Sequence, residues 1–364
     1  MISQQRSWRE RIKGVAVLGL LLGVASVVAA CGSSSSSSAS GSATAASASS
    51  GGSSGSSSSP LVLGFSSYPP TVPAIAEAVS GATAQAKKDK IQIKFGMAAD
   101  APAQQSAIDQ LLGEGANVLA IDPNDSTAIT TSIKAANSKK IPVIMWVGTA
   151  TGGKVATFIG SNELSGGQNV GDYVGKLLHG SGEVALINGD EVHQAFILRE
   201  RGFRSELKKK YPGVTISAFG IGQQTAPPSE ALARDMLTAH PNIKAIVALS
   251  DAMAAGVYQA VKAEGKTGSV AVIGYNGDCP TLKSIWDGQI SATVFQNWYG
   301  FGADTVDAAV ALHDGKALSQ NMIEPTIVLD KQVMQQVLAG TYPSKDATLL
   351  ASVKQAANNQ CPKA

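Results

Sequence analysis

Cysteine and histidine are scarce in this chain, three and four in 364 residues. Neither is spaced like a ligand set, so no transition-metal centre is expected. Aromatic residues make up 5%, and no basic stripe runs between them, which excludes a nucleic-acid platform. No nucleophile elbow stands at a strand-to-helix turn. The glycine-rich stretches hold neither a P-loop lysine pattern nor a dinucleotide fingerprint. Neither a cofactor nor an enzymatic activity is expected. Charge of one sign is also lacking, because the whole chain is formally +2. Arg6, Arg9, Arg11, Lys13 and Glu10 fall within the first thirty residues. The remainder carries 25 basic against 26 acidic residues, a charge near −1.

Long apolar runs are almost absent as well. The one clear run, Val15 to Val28, follows the basic start and ends at Val28-Ala29-Ala30-Cys31. It is short for a bilayer span and closes on small residues, as an export signal does. The pattern resembles the lipobox of bacterial lipoproteins. That resemblance implies a signal peptide over 1–30, cleavage before Cys31, and lipid on the Cys31 thiol as the anchor to the cell membrane. The alternative is an uncleaved anchor. Gly32–Ser59 then contains only Gly, Ser, Ala and Thr. Such a segment cannot bury enough surface to order itself, and 31–59 is expected to be a tether with a reach of roughly 30 Å.

About 300 residues remain, enough for two lobes with their own cores. Short Val- and Ile-rich runs alternate with longer helical patterns. Strands are expected at Leu61–Phe65, Ile91–Phe95, Val118–Ile121, Ile141–Trp146 and Phe158–Gly160. Helices are expected between them, among them Val72–Lys88, Ala103–Glu114 and Ser126–Ser138, the last capped by Asp125 or Ser126. The rhythm restarts near residue 162 and continues through strands at Gly182–Ile187, Val214–Phe219, Ile243–Leu249, Val270–Gly274 and Ile290–Phe295. Cys279–Trp286 reads as a short helix with Trp286 in the core, and Tyr299–Leu312 as a long one. The fold class is α/β, with two Rossmann-like lobes built on parallel sheets. A ligand cleft is expected where the C-terminal ends of the strands face each other.

Several phrases, in this order and spacing, carry a family resemblance. They are Ile121-Asp-Pro-Asn-Asp-Ser-Thr-Ala-Ile129, Ile141-Pro-Val-Ile144, Gly160-Ser-Asn162, Arg199-Glu-Arg-Gly-Phe203, Leu237-Thr-Ala-His-Pro241, Ser250-Asp-Ala-Met-Ala-Ala-Gly256 and Ile273-Gly-Tyr-Asn-Gly277. From about Leu61 to Leu329 the chain resembles the type I periplasmic sugar-binding proteins, the ribose-, galactose- and xylose-binding group that serves ABC importers. The resemblance implies three crossovers, near Ser161–Glu163, Gln296–Trp298 and Glu324–Thr326. Lobe one would comprise 60–161 plus 297–325, and lobe two 162–296 plus 326–364.

The resemblance also supplies ligand candidates. Arg199 matches the arginine of the Arg-x-x-Gly-Phe pattern, and its fork of donors suits sugar hydroxyls. Ser250 replaces an Asn before Asp251, Asn276 replaces an Asp, and Gln296 is kept at a crossing. Tyr68 stands in the turn where ribose-type members place sugar-stacking aromatics. Those members also follow the Ile-Pro-Val-Ile strand with an Asp-Arg pair. Here that stretch is Met145-Trp146-Val147-Gly148, so Trp146 and Trp298 are the candidate flat faces. Asp122 and Asp125 could be ligands or helix caps. His179, His240 and His313 sit at helix ends, which leaves His193, in a loop on the cleft side, as the histidine with a candidate role. Cys279 and Cys361 could pair as a disulfide outside the cell or stay buried thiols.

The implied function is an extracytoplasmic, monomeric binding lipoprotein. It would deliver a small neutral sugar or polyol to an ABC permease and touch the membrane through Cys31 alone. A deoxy sugar or a furanone-like metabolite fits the altered cleft too. A sensory binding module for a small non-sugar metabolite, docking on a receptor, is the alternative, and a secreted hydrolase is a further one from another class.

Overall fold

The computed structural model describes residues 59–344 and 346–357. The signal segment, Cys31, nearly all of the tether and Cys361 lie outside the described residues. Among the described residues no helix is long and apolar enough to cross a membrane.

The described chain builds two six-stranded sheets. The first uses β1 (Val62–Ser67), β2 (Gln92–Met97), β3 (Val118–Ile121), β4 (Val143–Trp146), β5 (Thr157–Ser161) and, far along the chain, β11 (Asn321–Glu324). Its order is β11-β5-β4-β3-β1-β2, all parallel. The second uses β6 (Ser181–Asn188), β7 (Gly213–Ile221), β8 (Ile243–Ala248), β9 (Ala271–Asn276), β10 (Ala292–Phe295) and β12 (Ile327–Asp330). Its order is β12-β10-β9-β8-β6-β7, parallel except for the β10–β12 pair. Strands such as β3, buried at all four positions, are covered on both faces by helices. That is why they read as unbroken apolar runs and not as alternation.

The helices are α1 (Pro73–Asp89), α2 (Ala101–Gly113), α3 (Thr130–Ser138), α4 (Glu163–Leu177), α5 (Gln194–Lys210), α6 (Ala226–Ala239), α7 (Asp251–Ala263), α8 (Cys279–Trp286), α9 (Trp298–His313), α10 (Lys331–Ala339) and α11 (Ala347–Ala357). Polar side chains start many of them. Asp100, Asn162, Asp278, Asn297 and Asp330 each accept a backbone N–H in the first turn, which satisfies a donor that the helix itself leaves open. Helix pairing is close in both halves. A Cβ on Gly302 of α9 would overlap the Ala78 carbonyl of α1, and one on Gly202 of α5 the Leu164 carbonyl of α4. Glycine is what lets these backbones touch.

The chain passes from the first sheet to the second after β5, returns after β10, and passes again between β11 and β12. Three details differ from the sequence reading. The helix expected from Ser126 begins at Thr130. Asp125 Oδ1 accepts Thr127 and Ala128 N–H in a turn, and Ser126 is bonded to residues 192 and 194 of the other half. The short edge strand β11 and its neighbour β12 carry no distinct sequence signal. Trp286 is not core: it is 41% exposed and lies under the Lys331 ammonium, 5.7 Å from the ring centre.

Candidate functional site

The C-terminal ends of both sheets open onto one cleft that is partly open to solvent. Tyr68, Asp122 and Val147 reach it from the loops after β1, β3 and β4. His193, Arg199, Gln224, Ser250 and Asn276 reach it from the second half, and Trp298 from the start of α9. Val147 holds φ at 57°, a costly conformation for a β-branched residue, and such strain concentrates at functional sites.

Arg199 is the centre of the second wall, and its side chain is buried. Its Nε donates to Glu163 Oε2 at 2.8 Å. Nη1 donates to Leu249 O at 3.0 Å and to Asn276 Oδ1 at 3.3 Å, and Nη2 to Gln296 Oε1 at 3.1 Å. Its guanidinium lies 4.0 Å from the Tyr275 ring centre. Burial works against the Arg199 charge, but Glu163 and the Tyr275 hydroxyl more than offset this and raise its pKa. Glu163 accepts from Tyr275 Oη at 2.9 Å and from Gln296 Nε2 at 2.8 Å as well. Asn276 keeps φ at 128° while its carbonyl accepts Trp298 Nε1 at 3.1 Å.

The facing wall is organised by Asp122, which is buried. It accepts from Ser67 Oγ at 3.1 Å, Gly148 N at 3.2 Å and His193 Nε2 at 3.1 Å. His193 Nδ1 accepts Ala195 N–H at 3.1 Å, which assigns the hydrogen to Nε2 and makes the ring the donor to Asp122. Tyr68 Oη donates to Asn124 O at 3.3 Å and accepts from Gln224 Nε2 at 3.2 Å. Burial, then Asp122, pushes its pKa up. On α1, Glu77 Oε1 accepts Cys279 N–H at 2.9 Å, and burial pushes its carboxyl up to about 8.

Of the eight candidates, Tyr68, Arg199, Ser250, Asn276 and Trp298 line this cleft. Trp146 does not. It is buried between Phe65, with ring centres 4.7 Å apart, and Trp298, at 6.5 Å. Gln296 stands behind Arg199 as a brace. Asp251 is buried at the first position of α7, where it accepts from Thr293 Oγ1 at 2.7 Å and Asp278 N at 2.9 Å. Burial and then Asp278 raise its pKa well above the usual range. Glu163 and Gln224 escaped the sequence reading. An acid at the first position of a helix is too common to mark a site, and Gln224 sits in an irregular loop. Among the described residues no group of His, Cys, Asp and Glu could hold a metal ion.

A sequence model of the family described as periplasmic binding protein domain matches residues 63–317. The ribose import binding protein of Bacillus subtilis (strain 168) is 31% identical over 228 residues, which is 62% of this chain and 72% of that protein. An ABC transporter solute binding protein from Mycobacterium smegmatis, solved with bound glycerol, superposes with a TM-score of 0.71 at 26% identity. It covers 75% of this chain and 95% of that one. One from Bacillus halodurans, solved with bound myo-inositol, gives 0.73 at 24% identity, over 78% and 99% of the two chains, a likeness of fold.

Proposed function

This chain belongs to the periplasmic binding protein family, a family of extracytoplasmic solute binders and not of enzymes, and we propose that it binds a small sugar or polyol. The observation that carries this reading is the set of valences left open in the cleft. Asn276 Nδ2 and the Ser250 hydroxyl hydrogen have no partner among the described residues. Asp122 Oδ2 and Gln224 Oε1 keep acceptor capacity. Hydroxyl groups donate and accept at once, so a polyol can meet both walls. Tyr68, Phe196 and Trp298 supply apolar faces for its carbon skeleton. Closure removes water from the ligand, and these groups replace the bonds it loses.

The cargo is handed to an ABC permease. The binding body spans two lobes, 60–161 plus 297–325 and 162–296 plus 326–364, and works as a monomer held by lipid on Cys31 after removal of 1–30. Cys279 pairs with Cys361. Helix α11 packs on α8, which begins at Cys279, and Cys361 follows α11 by a few residues.

The test is to purify the chain under native conditions, release its retained ligand by denaturation and identify it by mass spectrometry. A sugar or polyol that rebinds is expected. A molecule without hydroxyl groups that rebinds would overturn the reading.

A further inference from the structure

We infer that Glu163 makes this cleft select neutral ligands and reject anionic ones, an inference that rests on the sugar- or polyol-binding reading above. Glu163 does not line the cleft. Its buried carboxylate acts through Arg199, as a positioning and charge-cancelling residue.

A guanidinium fork open to a desolvated cleft is a receptor for carboxylates, because two parallel N–H groups match two oxygens. Arg199 does not present that fork. Glu163 takes Nε at 2.8 Å, Leu249 and Asn276 take Nη1, and Gln296 takes one N–H of Nη2. At most one N–H is left, and the Tyr275 hydroxyl lies beside it, so Arg199 cannot hold a carboxylate by both oxygens.

The charge balance points the same way. The positive charge that would hold an anion is cancelled within the protein by Glu163. Asp122 adds a second carboxylate on the facing wall. An acidic ligand entering here meets two carboxylates and one guanidinium, where water is excluded and screening is weak. Glu163 is also strapped in place. It stands just past the first crossing between sheets, and its Oε1 accepts Nε2 of Gln296, which stands just before the second, at 2.8 Å. The hinge therefore holds the carboxylate against Arg199.

The test is calorimetric titration of the full chain with neutral and acidic members of matched pairs: D-glucose and D-glucuronate, D-galactose and D-galacturonate, D-ribose and D-ribonate. The wild type is expected to prefer the neutral member of a bound pair by about 100-fold or more. Glu163→Gln is expected to shrink that ratio by about tenfold or more, mainly through tighter binding of the acid. Glu163→Asp keeps the charge and is expected to keep the preference, which separates charge from bracing. The wild-type ratio needs no variant: an acid bound as tightly as its neutral partner overturns the inference even if Glu163→Gln does not fold. A ratio unchanged in Glu163→Gln, with both members weakened alike, overturns it too and leaves the binding function standing. Failure of these sugars and of the polyols myo-inositol and glycerol to bind would remove both.

Discussion

Asp122 and His193, 71 residues apart in the chain, meet across the cleft at 3.1 Å with both side chains buried. The first follows a strand of one sheet and the second opens a helix of the other half. Their bond closes one end of the cleft beside Tyr68 and Gln224. Gly148 lies against it. A Cβ there would stand 2.8 Å from both His193 Nε2 and Pro123 Cδ.

Gly148→Ala is therefore expected to push His193 from Asp122 and favour an open form. Ligand affinity should fall by about tenfold or more, since a ligand that binds the closed form is weakened by whatever depopulates it. Titration calorimetry with the identified ligand checks the loss, and small-angle scattering checks the opening.

Glu77 gives a pH dependence with a definite sign. Burial raises its carboxyl from 4.5 to about 8 in the folded state. Its contribution to stability is full below about 4.5 and is lost as pH rises through about 8, because the buried form holds a proton that the unfolded chain releases. Thermal unfolding of wild type and Glu77→Gln between pH 5 and pH 9 should show the wild type losing ground to the variant as pH rises. Parallel curves would contradict this.

Arg199 and Glu163 form a buried ion pair at 2.8 Å, each side chain 3% exposed. Arg199→Leu leaves the carboxylate uncompensated and should cost about 3–5 kcal/mol in denaturant unfolding. The double variant Arg199→Leu with Glu163→Leu should recover much of that, and neither should bind ligand well. Additive losses would show that the pair is not coupled.

The proposed Cys279–Cys361 bond predicts that the intact chain gains the mass of two hydrogen atoms on full reduction. Equal masses before and after reduction would rule the bond out.

The order of strands and helices was legible because parallel strands covered on both faces announce themselves as apolar runs between longer helical patterns. Site residues were legible in part. Trp146 is the last residue of β4 and packs into the interior against Phe65, whereas the next residue, Val147, lines the cleft. One step along a strand reverses the face, and no composition argument resolves that step. Gln296 and Asp251 stand out through the family resemblance, but their hydrogen bonds are spent inside the protein, those of Gln296 on Arg199 and Glu163 and those of Asp251 on Thr293 of β10 and the Asp278 N–H. Glu163 needs its distant partners Arg199, Tyr275 and Gln296 in place before its role can be seen. Trp286 failed for a related reason: a helix of eight residues leaves its last turn open to solvent.

The most direct measurement of the central claim is a calorimetric titration of the full chain and of Arg199→Lys with D-ribose, D-allose, myo-inositol and glycerol. Saturable one-to-one binding of at least one of these to the wild type is expected, with strong weakening in Arg199→Lys because a lysine cannot reproduce the fork shared among Glu163, Asn276 and Gln296. Absence of binding by all four, or equal binding by both proteins, would contradict a polyol site built around Arg199.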